Sequence, residues 1–391
     1  MLTAVLTAAA DSGLGFNDMV NRIAGNNADL KATRLELEAQ RSEQKSTLNL
    51  SDPEIEFSHK WGPANAGNKT EFGISQGFDW PGVYVHRKQS VKQKENALLQ
   101  LWQSNIIDRK FEIKLTLLDM VYLNRCINLL NRRLAAIDSL MSKYADPVNR
   151  TSLTRLDLNK LKIERYRLNS KLKTTQSQKS ATMQQLAAMN GNAECADAAT
   201  VTEFPEEQIL PAAEYEKLIA NSPEMLASEA ETESLNSQIK AVKSMSLPGF
   251  SVGYSYAREE HKSFNGFSFG VSLPLFANRH KVKSVTLLKE AQLMKQRQLQ
   301  FDATTQTYAL LLKVQSLKRL ASEARELICD TDYSRLLRMA LDGGQISLSE
   351  YLIESNYYLE FEEEYLDACY QYQCEAARLN KYTNDSLLND M

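Results

Sequence analysis

Residues 248–274 read PGFSVGYSYAREEHKSFNGFSFGVSLP, and large apolar side chains alternate with small or polar ones along most of this stretch. Successive side chains of a β-strand point to opposite faces, so this period of two is typical of a strand with one apolar face. A proline stands at each end, where regular structure is interrupted. The pattern therefore predicts a β-hairpin. Its apolar face carries Phe250, Val252, Tyr254, Tyr256, Phe267, Phe269, Val271 and Leu273, and its opposite face carries Ser251, Gly253, Ser255, Ala257, Ser268, Gly270 and Ser272.

Residues 52–82 hold a second concentration of Gly and Pro with the same alternation, and they predict a second hairpin. An apolar face opposite a small or polar face is typical of strands in a membrane β-barrel. A soluble sandwich strand alternates in the same way, but each hairpin here stands alone between helical stretches with no second sheet to cover it. We therefore predict barrel strands. The predicted lipid-facing residues are Phe57, Phe72, Phe250, Val252, Phe267, Phe269 and Val271, and the predicted lumen-facing residues are Glu54, Glu56, Gly73, Gly253, Ser255, Gly270 and Ser272.

Long stretches outside the hairpins contain neither Gly nor Pro. Residues 83–146 form one such stretch of 64 residues, and residues 275–342 form another of 68. Both are rich in good helix formers and carry apolar residues at spacings of three and four. A helix of 60 residues is about 90 Å long, which a globular domain rarely needs. The pattern predicts mainly α structure, with long coiled helices that form a rod or a helical barrel.

The chain also contains an internal repeat. Pro53 and Pro248, which precede the two hairpins, are 195 residues apart, and Pro81 and Pro274, which follow them, are 193 apart. A constant offset along the chain indicates duplication of one unit. The predicted boundaries are a signal-peptide remnant at 1–15, a first repeat at 16–190 (a helix, the hairpin 52–82, the long helix 83–146, a tip, and a helix 148–190), a linker at 191–211, and a second repeat at 212–391 (a helix, the hairpin 248–274, the long helix 275–342, a tip, and a helix 345–383).

Barrel closure predicts the number of chains in the assembly. Four strands are too few to close a barrel, and open strand edges cannot face lipid. Two chains would form a barrel of eight strands, and side chains would fill the interior of a barrel of that size. Three chains would form a barrel of 12 strands. A duct has to stay open, so the trimer is preferred.

Composition bounds the function. The chain has 391 residues, 24% charged residues and a net charge of −3, which gives no indication of nucleic-acid binding. Its five cysteines and four histidines show no metal-ligand spacing, and no catalytic, cofactor or phosphate-binding motif is present. The sequence therefore predicts neither an enzyme nor a cofactor site.

Several motifs resemble the TolC family of outer-membrane efflux proteins across nearly the whole chain. GFSFGVSLPLF at 266–276 resembles the family's strand that leads into its long helix, and FGISQ at 72–76 with WPG at 80–82 resembles the first-half counterpart. GQIS at 344–347 with EYL at 350–352 resembles the family's periplasmic tip. The resemblance implies a homotrimer with a 12-stranded β-barrel in outer-membrane lipid and an α-helical barrel that crosses the periplasm. It also implies a channel of a Gram-negative outer membrane that works with a periplasmic adaptor and an inner-membrane pump, with the RND type expected.

The resemblance further suggests residues at the helix tips. Asp157 matches an acidic position that takes part in latching, and Glu350 matches one that lines the constriction; Arg150 and Arg155 are close enough in sequence to pair with these acids. The predicted adaptor-docking positions are Asp146, Pro147, Ser152, Leu153, Gly343, Gly344, Ser347 and Leu348. The alternative function is a secreted coiled-coil scaffold or adhesin without channel activity, which would explain the helices but not the alternating hairpins or the duplication.

Overall fold

A computed structural model describes residues 15–62, 67–145, 155–259, 262–274, 279–330 and 332–383. The predicted signal-peptide remnant lies outside these residues, apart from Gly15. In chain order the elements are α1 (Phe16–Asn26), α2 (Ala28–Ser46), β1 (Glu54–Trp61), β2 (Asn68–Phe78), α3 (Pro81–Ala145), α4 (Arg155–Met189), α5 (Ala212–Ala220), α6 (Pro223–Ser244), β3 (Gly249–Glu259), β4 (Lys262–Ser272), α7 (Arg279–Asp330), α8 (Tyr333–Asp342) and α9 (Leu348–Leu379).

These elements form two compact units. We call Met1–Lys31, Asn105–Leu218 and Thr304–Met391 the helical unit, and Ala32–Ser104 with Ile219–Ala303 the sheet unit. The sheet unit contains all four described strands, and the helical unit contains α4, α8 and α9.

The sheet unit joins the two predicted hairpins into one antiparallel sheet of strand order β1-β2-β3-β4. The pairing of β2 with β3 runs from Lys69 opposite Glu259 to Phe78 opposite Phe250. Beside the sheet, α6 buries one row of small residues at spacings of three and four: Ala227, Ala230, Ser234, Ser237 and Ala241.

Small side chains let α6 approach α3 closely. The Ser90 hydroxyl donates to the backbone oxygen of Ser234 at 3.0 Å, and the Ser234 hydroxyl donates to that of Ser90 at 3.1 Å. Nearby, Lys94 pairs with Glu231 at 2.7 Å. This seam therefore combines close backbone approach with a partly buried ion pair.

The helical unit has an apolar core between α3, α4, α8 and α9. α3 contributes Leu130 and Ile137 at heptad spacing, and α4 contributes Leu161, Leu168 and Leu172. The core is completed from α8 and α9 by Leu337, Leu341, Leu348, Tyr351, Leu352 and Leu359. The described part of the predicted linker packs against this unit, where Asn124 and Arg125 donate to the backbone oxygens of Val201 and Thr202, each at 2.6 Å.

The prediction of one helix at 275–342 is wrong, because α7 ends at Asp330 and α8 begins at Tyr333. The Asp332 carboxylate caps α8 by accepting the backbone N–H of Arg335 at 3.2 Å. A short acidic side chain such as that of Asp332 competes with the helical backbone hydrogen bonds and favours an N-cap, so the helix is interrupted here without Gly or Pro.

The single helix predicted before each hairpin is also wrong, because two helices occupy each position. Asn27 separates α1 from α2 and accepts the Leu30 N–H at 3.1 Å, whereas Ser222 separates α5 from α6 and accepts the Met225 N–H at 3.4 Å. Both residues are favoured at helix N-caps. They are 195 positions apart, so the two caps follow the offset of the repeat.

Candidate functional site

At the predicted positions, the sheet places the large apolar side chains on one face and the small or acidic side chains on the other. Residues directly opposite each other in antiparallel strands share a face, so the register identifies the members of each face. One ladder row joins Phe57, Phe72 and Tyr256, and another joins Ile74, Tyr254 and Phe267. By the same register, all seven predicted lipid-facing residues lie on one face and all seven predicted lumen-facing residues lie on the other.

The apolar face is exposed in the single chain. Phe267, at the centre of β4, is 89% exposed, and Phe57 and Phe269 are each 69% exposed. Rings on this face contact each other across the strands, as Tyr254 and Phe267 do with ring centroids 5.5 Å apart. A large exposed apolar patch of this kind is typical of a surface that binds another protein or a membrane.

The opposite face carries Gly and Ser in alternation across three strands. Its central rows are Gly73–Ser255–Gly266, Ser75–Gly253–Ser268 and Gly77–Ser251–Gly270. A Cβ atom at Gly253 would lie 2.5 Å from the Ser268 Oγ and 3.0 Å from the backbone oxygen of Ile74. The hydroxyls of Ser268 and Ser251 thus occupy space that Gly253 and Gly270 leave, and we call these three rows the Gly/Ser ladder.

The turn between α8 and α9 forms the described tip of the helical unit. Gly344 has a φ of +69°, a left-handed conformation that favours glycine. The backbone N–H of Gln345 donates to the Ala340 oxygen at 2.9 Å and thereby closes the end of α8. Leu348 is only 6% exposed, so its side chain supports the tip from within the core.

Glu350 closes the other side of this turn as part of a capping box. Its carboxylate accepts the backbone N–H of Ser347 at 2.7 Å, and the Ser347 hydroxyl accepts the backbone N–H of Glu350 at 3.2 Å. The backbone N–H of Ser347, with a smaller contribution from the Ser347 side chain, stabilises the charged carboxylate and holds the pKa of Glu350 below its usual range. The carboxylate is therefore ionised at neutral pH and already bound to the helix end. Its position three residues after Ser347 is the sequence signature of a capping box.

The remaining predicted tip residues divide between described and undescribed parts of the chain. Asp157 lies in the first turn of α4, 3.8 Å from Lys160, whose ammonium donates to the Ser349 hydroxyl of α9 at 2.6 Å. Arg155 begins α4 and is exposed. Five residues lie outside the described range: Asp146, Pro147, Arg150, Ser152 and Leu153.

Ion pairs between the helices near the tip include residues that sequence reasoning missed. Lys143 of α3 pairs with Asp342 of α8 at 2.8 Å, and Arg338 approaches the same carboxylate at 3.2 Å. Together they hold the pKa of Asp342 below its usual range, with Lys143 as the larger cause. Arg165 of α4 pairs with Asp138 of α3 at 2.6 Å. No local motif identifies the Lys143–Asp342 and Arg165–Asp138 pairs, because each joins residues on different helices; Arg338 and Asp342, four residues apart on α8, are the local exception.

None of the helices described here contains a stretch that is long and apolar enough to cross a membrane. The described residues also contain no group of three or more His, Cys, Asp or Glu side chains that could hold a metal ion.

No protein-family model and no curated protein sequence matches this chain. Solved structures are similar over most of its length. A membrane protein from Pseudomonas aeruginosa is 17% identical with a TM-score of 0.77, and the match covers 98% of each chain. The CmeC outer membrane channel of Campylobacter jejuni is 14% identical with a TM-score of 0.76, covering 94% of this chain and 85% of that one. The MtrE outer membrane channel of Neisseria gonorrhoeae, in its open state, is 14% identical with a TM-score of 0.74. This match covers 94% of the present chain and 88% of the MtrE chain. The chain therefore has the fold of the TolC-type outer-membrane channels, as its sequence predicts.

Proposed function

We propose that this chain is one protomer of a homotrimeric channel in the outer membrane of a Gram-negative bacterium, and that it conducts substrates without converting them. The main support for this proposal is the sheet. It combines an exposed apolar face with two outer edges, on β1 and β4, that have no partner strand among the described residues. Edges cannot face lipid with unsatisfied backbone groups. Pairing β4 of each copy with β1 of the next satisfies both edges, and three copies of four strands give 12.

A row of exposed side chains on α7 also supports contact between copies. Leu287, Met294, Phe301 and Tyr308 follow each other at intervals of seven residues and are 54%, 70%, 67% and 46% exposed. A seven-residue apolar repeat is the pattern of a helix that packs against another helix. In the proposed trimer, a helix of the neighbouring copy covers this row.

The channel works in this proposal as the outer part of a tripartite efflux or secretion system. A periplasmic adaptor binds the helix tips around Gly343, Gly344 and Ser347, and an inner-membrane pump, of the RND type, supplies the substrate. The support is the resemblance of the 344–352 motif together with the hydrogen-bonded caps on both sides of the α8–α9 turn.

Membrane extraction and conductance measurements test the proposed function. We expect the protein to be recovered from outer membranes by detergent, to migrate as a trimer without heating and as a monomer after heating, and to open pores in planar bilayers. A freely soluble monomer without pore activity would instead support the scaffold or adhesin function.

The gate is part of the same proposal. Threefold symmetry places Glu350 and Asp157 in rings of three carboxylates near the tips, with Arg150 and Arg155 as candidate partners. Exposed ion pairs contribute about 0–1 kcal/mol each, so a latch built from them needs several acting together. An adaptor that binds the tips could open such a weak, cooperative closure.

Two substitutions separate a gating role of Glu350 from its role as a helix cap. Gln at this position can keep both bonds of the capping box but carries no charge, whereas Ala keeps only the bond from its own backbone N–H to the Ser347 hydroxyl. We expect Glu350→Gln to melt between Glu350→Ala and wild type, because a neutral amide oxygen is a weaker acceptor than a carboxylate, while changing cation block in single-channel recordings. We expect Glu350→Ala to melt at a lower temperature than wild type. The difference in melting temperature between these two proteins should shrink as the pH falls through the lowered pKa of Glu350, because a protonated carboxyl is a weaker acceptor. Recordings of Glu350→Gln identical to wild type would leave Glu350 as a helix cap alone.

A further inference from the structure

Four helices of the sheet unit contact each other in the order α2, α3, α6, α7. At one end, Arg41 and Lys45 of α2 approach the Glu95 carboxylate of α3 at 3.8 Å and 3.5 Å. At the other end, the Gln292 amide of α7 donates to the Ser228 hydroxyl of α6 at 3.1 Å. The seam between α3 and α6 joins these two pairs. α2 and α7 therefore each have one side against a helix of the same chain and one side turned away from it.

The side of α2 that is turned away from α3 carries mostly small residues. They follow each other at alternating intervals of three and four residues, and all of them are exposed: Ala32, Leu35, Ala39, Ser42 and Ser46. Leu37, which lies roughly opposite them around the helix, is buried. Alternating intervals of three and four are the pattern of a helix that packs along another helix. We call these five residues the α2 stripe.

The outer side of α7 has the same spacing but also carries large side chains. Leu287, Met294 and Phe301 are exposed there. Three smaller or polar residues stand between and before them on the same side, and they are exposed as well: Ser284, Ala291 and Gln298. Val285, roughly opposite this side, is buried. Large and small positions therefore alternate along the outer side of α7.

The proposed barrel brings these two surfaces together. In it, β4 of one copy pairs with β1 of the next, and α7 follows β4 whereas α2 precedes β1. The connections have nearly the same length, because residues 47–53 join α2 to β1 and residues 273–278 join β4 to α7. α2 leads towards the sheet and α7 leads away from it, so the two helices are antiparallel.

Side-chain sizes match when the two helices are aligned by the sheet. Positions equally far before Glu54, which begins β1, and after Ser272, which ends β4, are assigned to the same level. Three levels then each combine one large and one small side chain: Leu287 with Ala39, Ala291 with Leu35, and Met294 with Ala32. A large side chain of one helix thus has room on the other helix at each of these levels.

We propose that the outer side of α7 in one copy packs antiparallel on the α2 stripe of the next copy, with Leu287 against Ala39. This inference rests on the proposed channel, because the pairing of β4 with β1 places the two helices side by side. α3 and α6 do not compete for this position, since each already contacts a helix of its own chain on both sides. The pair closes the wall of the channel between copies.

Crosslinking of introduced cysteines tests the helix pair in the full-length protein in outer membranes. Ala39→Cys and Leu287→Cys are combined in one chain and treated with a short bismaleimide reagent. We expect covalent dimers and trimers on a denaturing gel, because each copy then presents one thiol to each neighbour. Each single variant should give no more product than wild type, whose five native cysteines all belong to the helical unit.

Gln40→Cys combined with Leu287→Cys is the matched control. Gln40 is exposed and adjacent to Ala39, but it lies about 100° further around the helix, so it should give far less product. Equal crosslinking of the two pairs would overturn the helix pair. So would a conducting, heat-sensitive trimer of Ala39→Cys/Leu287→Cys without crosslinks between copies, and that result would leave the proposed channel standing. A wild-type protein that forms no trimer would overturn both.

An exchange of side-chain sizes is a second test that needs no reagent. Ala39→Leu should lower the yield of heat-sensitive trimer, because two leucines then meet at one level. Adding Leu287→Ala should restore most of the yield. Adding Phe301→Ala instead should not, because Phe301 lies about four turns further along α7. An undiminished trimer yield in Ala39→Leu, or equal effects of the two added substitutions, would contradict the proposed pairing.

Discussion

Phe267→Arg is expected to remove most of the assembled protein from the outer membrane. Phe267 is at the centre of β4 and is 89% exposed on the apolar face, so lipid covers it in the proposed barrel. An arginine on the lipid face near the middle of a bilayer costs about 2–4 kcal/mol. The substitution also removes the ring contact with Tyr254. The yield of heat-sensitive trimer and its melting temperature measure the loss.

Ser268→Arg is the control for depth in the membrane. Ser268 is the next residue in the same strand and belongs to the Gly/Ser ladder, so the same charge enters at the same depth on the opposite face. It should reduce the yield far less and should instead change the ion selectivity of the pore, because a lumen-facing charge remains in water. Equal losses for the two variants would contradict the assignment of the faces.

Ala135→Pro is expected to have the second large effect. Ala135 is exposed within the 65-residue helix α3, so the substitution tests the continuity of the backbone without removing a core side chain. Proline removes the hydrogen bond to the carbonyl of Asn131 and clashes with it, at a cost of about 3 kcal/mol or more. The melting temperature should fall, and limited proteolysis should show new cleavage near this turn of α3.

Ala135→Gly is the matched control, because glycine weakens the helix by about 1 kcal/mol without breaking it. The proline at the same position should therefore be much the more damaging of the two. Leu118 would be a poorer choice, since it is fully buried and its replacement would combine a broken helix with a core cavity. A proline variant as stable as the glycine variant would mean that α3 bends easily at this point.

Local patterns in the sequence predicted most of the elements, and the errors have a physical origin. The alternation of apolar with small or polar residues along 52–82 and 248–274 identified all four described strands and both of their faces. This pattern, with its period of two residues, depends only on neighbouring positions in the sequence. The helix breaks at Asn27, Ser222 and Asp332 were missed because side-chain caps interrupt helices without Gly or Pro.

Contacts between distant segments could not be predicted in the same way. The pairing of β2 with β3 joins residues that are between 172 and 190 positions apart in the chain, and no local pattern specifies it. The apolar core of the helical unit likewise depends on which faces of α3, α4, α8 and α9 meet. Glu350 is different, because the Ser347–Glu350 spacing was visible in the sequence and indicates a helix cap.

The Gly/Ser ladder has a consequence for how faithfully the strands align during folding. Sliding β3 against β2 by two residues would leave every large side chain on its own face, so the apolar pattern alone does not oppose that error. In the displaced alignment Ser75 would stand opposite Ser255, and Gly77 opposite Gly253. Serine would then face serine and glycine would face glycine, so the complementarity of the two residues would be lost and the paired glycines would leave a gap. The alternation thus distinguishes the native alignment from its nearest competitor, and it does so with the smallest side chains in the sheet.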